Sequence, residues 1–220
     1  MRLNRFLAES TGLSRREADE KITAGQVLVN GKKAVLGQQI EPEADNILLG
    51  GEPVESVVKF TTVMLNKPAG YVSSRNGQGR STVYELLPEK YAELKTVGRL
   101  DQDSSGLLLL SNDGGFTHQM THPKFAKVKV YEVKLDKPLE PLHQQMIADL
   151  GIELADGHSK LGLEKLDDSR KFWRATMHEG RNRQIRRTFK ALGYAVEALH
   201  RTHFGPYILG DLESGAFHEV

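Results

Sequence analysis

The sequence predicts an α+β protein in two parts: a small module of helices and a hairpin, then a larger domain on a mainly antiparallel mixed sheet. Three observations carry that prediction. A chain of 220 residues is long for one core but comfortable for a small module plus a domain of ordinary size. The stretch before residue 50 has its own helical periodicity, capping signal and turn dipeptide. Beyond residue 60, strand-like and helix-like stretches mix irregularly, without the strand-then-helix rhythm of a parallel doubly wound sheet, and without repeats or low-complexity segments.

In the first module, residues 1–49, Leu3, Phe6 and Leu7 recur at helical spacing. Ser14 with Glu17 three positions on is a capping box for a second helix, whose core face would carry Ala18 and Ile22 and which Gly25 would end. Val27, Leu28 and Val29 then form a short apolar strand turning at Asn30-Gly31, the dipeptide tight hairpins favour. Residues 50–59, punctuated by Gly50-Gly51 and Pro53, lack a sustained period and read as a linker. In the domain from 60 to 220, strands are expected at Thr62–Asn66, Gly106–Leu110, Lys127–Leu135 and Phe172–His178, and helices at Pro141–Leu150 and Arg183–Leu192.

Composition excludes several classes of function. The chain is 39% hydrophobic and 27% charged, and no apolar run approaches a membrane span. The first ten residues carry charges throughout and lack the apolar run of a secretory signal, so a cytoplasmic protein is expected. With no cysteine there is no disulfide, thiolate nucleophile, iron–sulfur cluster or thiolate zinc site. A net charge of +1 gives no general attraction to polyanions, so any nucleic-acid partner must be argued from where the basic residues fall.

Three segments of the second domain carry reactive or recognition side chains. In the first, a polar loop holding Asp101 and Asp103 runs into Leu107, Leu108, Leu109 and Leu110, a strand buried on both faces and hence a rigid mounting. Taken alone, an aspartate in such a glycine-flanked loop is more often a turn former. In the second, alternation puts Tyr131 on the same face as Val133 and Leu135, where a core tyrosine is the ordinary reading. The third is the basic run Arg181, Arg183, Arg186, Arg187. Ile185, Phe189 and Leu192 mark a buried helix face, with Arg183, Arg187 and Lys190 as a basic stripe opposite. Arg186, about 100° from Ile185 around the helix, can lean over the buried edge.

Two resemblances give these segments meaning. The run from Arg2 to Lys33, with Ser14-Arg15-Arg16 opening a helix and Gly25 through Lys32 closing it, resembles an S4 RNA-binding domain. That likeness implies that Arg5, Arg15, Arg16 and Lys21 meet phosphates, although acids balance the module's basic residues, so they count as a binding face only if folding gathers them. Gly98-Arg99-Leu100-Asp101, then Ser104, Gly106 with its four leucines and Asn112-Asp113-Gly114, resemble the signature of pseudouridine synthases. Ser104 and Ser111 stand where that signature usually has threonine, and both keep the hydroxyl. Leu65 through Tyr71 resembles the branch acting on ribosomal RNA.

The resemblance implies that Asp101, not Asp103, is the catalytic carboxylate, that Arg99 two residues before it binds substrate, and that Tyr131 stacks on the target base. Glu179-Gly180, three residues, Gln184-Ile185-Arg186 matches a family motif whose last residue pairs with that aspartate, which implies an Arg186–Asp101 ion pair. Such a pair would hold the carboxyl ionised and oriented. An apolar residue near the end lines the uracil pocket in this family; Leu199 and Leu209 are both candidates. No cofactor is implied. The base must be flipped out, with Arg183, Arg187, Lys190 and the first module on phosphates. The implied partner is ribosomal RNA or a ribosomal assembly intermediate, bound by a monomer, and the Glu179–Gln184 run looks more like enzymes acting on large-subunit 23S RNA than on 16S RNA.

Two other readings compete. His118 and His122, four apart, could hold a metal in a hydrolase, but Gln119 stands where a zincin needs glutamate and Pro123 would stop the helix. A nonenzymatic RNA-binding protein would use the first module and be indifferent to Asp101. It has no reason to bring Asp101, Tyr131 and Arg186 to one pocket.

Overall fold

The second helix opens with the reciprocal bonds its spacing requires: Ser14 Oγ accepts from the Glu17 amide at 3.2 Å, and Glu17 Oε2 accepts from the Ser14 amide at 2.6 Å. The structure, a computed structural model, describes residues 1–42, 44–55 and 60–220. It divides into two compact units, Met1–Thr61 with Asn112–Gly114, and Thr62–Ser111 with Gly115–Val220.

In the first unit, α1 (Leu3–Thr11) and α2 (Arg15–Thr23) precede β1 (Val27–Val29), β2 (Lys32–Lys33), β3 (Ile47–Leu49) and β4 (Glu52–Pro53). The sheet order is β2-β1-β3-β4, all antiparallel. Asn30 and Gly31 take φ of 50° and 77°, so the β1–β2 turn has the two left-handed residues that match the twist of a tight hairpin. Leu3, Phe6, Leu7, Ala18, Ile22 and Val27 close the core. The expected linker starts differently: Gly50-Gly51 is the turn of a β3–β4 hairpin, with Leu49 opposite Glu52. Two-residue strands are too short to show a period, which hid this one. Residues 56–59 of that linker lie outside the described residues.

The second unit contains β5 (Thr62–Lys67), β6 (Lys95–Val97), β7 (Ser105–Ser111), α3 (Gly114–Thr121), β8 (Lys129–Leu135), α4 (Pro141–Gln145), β9 (Ile152–Leu154), β10 (Gly157–Ser159), β11 (Gly162–Lys165), β12 (Phe172–Met177), α5 (Gln184–Ala191), β13 (Val196–Phe204), β14 (Tyr207–Ile208) and β15 (Phe217–Glu219). Its nine-stranded sheet runs β11-β12-β8-β13-β7-β5-β15, with β14 on β13 and β6 on β7. Among these pairings β13–β7 is parallel and the others antiparallel, giving the expected mixed sheet in an α+β fold. The helix expected over 141–150 is α4 followed by a π turn, Met146–Leu150.

β7 is the mechanical centre. Leu108 and Leu110 pack into one core cluster and Leu107 and Leu109 into the other, all fully buried. Each contributes roughly 1.5–3 kcal/mol by leaving water, so the strand that carries the aspartate loop is the least free to shift. Gly106 makes the parallel junction possible. At φ +103° a Cβ there would stand 2.3 Å from the Arg201 carbonyl oxygen of β13. Between β7 and β8 lies β13, the central strand that periodicity did not reveal: Val196–Phe204 mixes glutamate, arginine and two histidines into a buried segment.

Candidate active site

Asp101 sits on the loop that enters β7, and Lys67 at the end of β5 with Gly70 and Ser73 beyond it tie that loop down. Lys67 Nζ donates to the carbonyls of Ser104 at 2.6 Å and Pro68 at 2.9 Å. Ser73 Oγ donates to the Leu100 carbonyl at 3.0 Å and accepts from the Leu100 amide at 3.2 Å. Gln102 and Gly70 exchange bonds, with the Gly70 amide donating to the Gln102 carbonyl at 2.7 Å and Gln102 Nε2 to the Gly70 carbonyl at 3.0 Å. Lys67 is fully buried, and that burial pulls its pKa down to about 8 although Asp103 and Asp101 oppose the shift.

The Gln184 end of α5 is seated by a buried polar network. Gln184 donates to Ser159 Oγ at 3.1 Å and also bonds Glu179, and Ser159 Oγ meets Thr188 Oγ1 at 2.8 Å. Arg181 donates to Asp156 and to the carbonyls of Gly157 and His158 at 2.6–3.0 Å. Arg187 grips both oxygens of Asp156 at 2.8 and 2.6 Å. The β9–β10 hairpin therefore fixes the register of α5, and with it the arginines just before and inside the helix.

The predicted Arg186–Asp101 pair is corrected by this geometry. Arg183, at φ +46° in the position before α5, faces Asp101 with Nη1 3.6 Å from Oδ2. It also bonds both oxygens of Asp103 at 3.0 and 2.8 Å. Arg186 turns to Asp103, with Nε 3.3 Å from Oδ2 and Nη2 donating to the Asp103 carbonyl at 2.9 Å, while its Nη1 donates to the Val196 carbonyl at 2.7 Å. The left-handed residue ahead of the helix re-aims Arg183 toward the loop, which the helical wheel did not anticipate. Hydrogen bonds from Arg183, then the Arg186 charge, hold Asp103 below the usual carboxylate range, while burial pulls Arg186 below the usual arginine range.

Asp101, Tyr131 and Leu199 line one cavity of about 440 Å³, together with Arg99, Lys129, Arg183 and Arg201. Arg186 is not among the lining residues. Tyr131, 8% exposed, is opposite Arg201 across the β8–β13 pairing, and its ring belongs to the core cluster of Val133 and Leu135 as well as to the cavity. Between the two leucine candidates the geometry separates clearly: Leu199 faces the cavity, and Leu209 is buried in the cluster of Met64, Leu107 and Phe204. The basic stripe is also revised, since Arg183 and Arg187 are committed to aspartates while Lys190 stays exposed. In the first unit Arg5, Arg15 and Arg16 are exposed, Arg5 paired with Glu9 at 2.7 Å, and Lys21 is half-buried.

Lys67 and Arg201 went unmarked as site residues in the sequence. Lys67 follows Asn66 and Arg201 stands between His200 and Thr202, so neither breaks an apolar run that would mark it as a buried cation. The rings of His118 and His122 lie 4.7 Å apart, tilted by 59°, and no group of three potential metal ligands occurs among the described residues. No helix among them is long and apolar enough to cross a membrane.

A tethered aspartate beside an arginine, in a pocket walled by tyrosine and leucine, is the arrangement that the sequence resemblance implied, and comparison with known proteins gives the class. Residues 61–191 match the family model for RNA pseudouridylate synthase, and residues 1–46 match the S4 domain. The chain belongs to the pseudouridine synthase family and is an isomerase with an N-terminal S4 domain.

Among its relatives, a ribosomal small subunit pseudouridine synthase A of Pasteurella multocida is 39% identical over 96% of this chain and 91% of the relative. A ribosomal large subunit pseudouridine synthase B of Bacillus subtilis is 36% identical over 100% of this chain and 91% of the relative. A solved structure described as a pseudouridylate synthase superposes with a TM-score of 0.71 at 36% identity, covering 100% of this chain and 96% of that one.

Proposed function

We propose that this protein converts a uridine of ribosomal RNA to pseudouridine in the cytoplasm, with Asp101 as the catalytic carboxylate. The observation that carries the reading is the meeting of Asp101, Tyr131, Arg183 and Leu199 at one cavity. In the reaction the bond from C1′ to N1 breaks, the uracil turns, and C1′ bonds to C5, with no redox change and no hydrolysis. Asp101 acts at the sugar, as nucleophile at C1′ or by assisting glycal formation. Tyr131 stacks on the flipped base and Leu199 closes its other side. Arg183 sets a positive charge beside the Asp101 carboxylate, and Arg186 positions Arg183 through Asp103.

The first unit serves as the S4-type RNA-binding module and the second as the catalytic domain, which acts as a monomer on ribosomal RNA or an assembly intermediate. Exposed Arg15, Arg16 and Lys190, with Arg99 at the cavity mouth, contact phosphates. Of the two ribosomal RNAs, the Glu179–Gln184 run favours the large subunit, while the 39% identity to a small-subunit enzyme supports the alternative. Deleting the gene, mapping pseudouridines in both RNAs, and complementing with wild type or Asp101→Asn tests the reading. One site should vanish, return with wild type and stay absent with Asp101→Asn; an unchanged map overturns ribosomal RNA as substrate.

A further inference from the structure

Arg201 is 2% exposed in the middle of β13, and its one hydrogen bond among the described residues runs from Nε to the Leu107 carbonyl at 2.8 Å. Nη2 is buried without a partner. The four arginines just before and inside α5 each have a carboxylate: Arg181 and Arg187 have Asp156, and Arg183 and Arg186 have Asp103. Arg201 has none among the described residues. The Phe204 ring, 4.8 Å from its guanidinium carbon, offers partial compensation. Guanidinium does not give up its proton in a protein, so the charge remains. Lys129 lines the same cavity, so a second cation stands on this wall with Arg201. A buried charge without a counter-ion is costly to the fold, and a site that maintains one is built for an anion that arrives later.

The place of Arg201 identifies that anion. Leu199 precedes it by two residues on the same strand, Tyr131 lies opposite it in register, and all three line the cavity. This is the position of the base in the reading given above, on which the inference rests. Uracil is neutral in uridine. When the C1′–N1 bond breaks, its electron pair stays on N1 and spreads to O2 and O4, so the detached ring carries a full negative charge. It discharges when C5 bonds to C1′, the C5 proton leaves and N1 takes up a proton; no electrons enter or leave overall. We propose that Arg201 is the counter-ion of the detached uracil, stabilising the charge that appears only once the glycosidic bond has broken.

A better leaving group needs less of that help, and 5-fluorouracil is more acidic than uracil. The test compares single-turnover loss of the C1′–N1 bond in an RNA fragment carrying the mapped site as uridine or 5-fluorouridine, with RNA affinity measured in parallel. Arg201→Gln should slow cleavage about 100-fold or more for uridine, clearly less for 5-fluorouridine, and leave affinity unchanged. Arg201→Lys keeps the charge and should show the same pattern in milder form, which covers the case where the glutamine variant does not fold. An equal loss on both RNAs would mean a structural role, and weakened affinity with unchanged rates a phosphate anchor; either overturns the assignment. Asp101→Asn separates the two ideas. If it is inactive on both RNAs while Arg201→Gln treats them alike, the Arg201 inference alone fails; if it remains active, the reading of the site fails as well.

Discussion

Arg183 holds both carboxylate oxygens of Asp103, Nη1 to Oδ1 at 3.0 Å and Nη2 to Oδ2 at 2.8 Å, while the same Nη1 stands 3.6 Å from Asp101. The arginine is thus shared, with its shorter bonds going to the acid that is not in the family's catalytic position. In the proposed mechanism Asp103 acts as a positioning residue. It fixes the guanidinium plane so that a charge, but no direct hydrogen bond, falls on Asp101.

Asp103→Asn should therefore lower turnover without abolishing it, by roughly tenfold, because Arg183 keeps its charge and loses its orientation. Asp101→Asn should remove activity altogether. Single-turnover rates on one RNA check the contrast, and an Asp103→Asn enzyme as inactive as Asp101→Asn would contradict the division of roles.

Lys190 and Arg187 lie on one face of α5 but differ in commitment, since Arg187 is bound to Asp156 through both oxygens and Lys190 is exposed. Replacing Lys190 by glutamine should reduce the slope of log affinity against log salt by about 0.7–0.9, one phosphate's share. Arg187→Gln should leave that slope nearly unchanged and instead lower thermal stability. Binding titrations over a salt series distinguish the two.

The difference between these residues also marks where sequence reading stopped. Patterns set by nearest neighbours were legible: the Ser14–Glu17 capping box, the Asn30-Gly31 turn and the leucines of β7 all stand as spacing required. The class of chemistry was legible in the Asp101 loop because a signature of that length is specific. What spacing could not give was partnership across long separations. Asp103 and Arg183 are 80 residues apart, and Arg201 and Leu107 are 94. The family motif implied an Arg186–Asp101 pair and the helical wheel put Arg183 on the outward stripe, because neither carries the left-handed backbone that Arg183 adopts. β13 was missed because its polar residues satisfy partners on two neighbouring strands, so burial there does not follow hydrophobicity.

Gly106→Ala should be among the most damaging single-methyl changes in the second unit. Its Cβ would meet Arg201 backbone atoms at 2.3 and 2.6 Å, from a φ of +103° that alanine resists. Backbone cannot move aside as a flexible side chain would, so β7 and β13 must part. A loss of roughly 3 kcal/mol is expected, a fall in melting temperature of about 6–12 °C for a domain of this size. Calorimetry measures it; a shift within 1–2 °C, on the order of a surface substitution, would show that the junction is more compliant than its geometry indicates.

Lys67 makes the stability of the second unit depend on pH in an unusual direction. Its pKa is about 8 in the fold, below the ordinary lysine value of 10.5. The unfolded chain therefore binds more protons than the folded one between those values, and stability contributed through this group rises as pH increases across that window. Below about pH 8 both states are protonated, and the cost of burying the ammonium is carried in full. Wild type compared with Lys67→Met isolates the effect, because tyrosines and other lysines titrate in both proteins. The difference in unfolding free energy should move in favour of wild type by on the order of 2–3 kcal/mol between pH 8 and 10.5, read from denaturant titrations at several pH values. A difference independent of pH would mean that Lys67 keeps an ordinary pKa despite its burial, and that the carboxylates of Asp101 and Asp103 compensate its charge more fully than their exposure suggests.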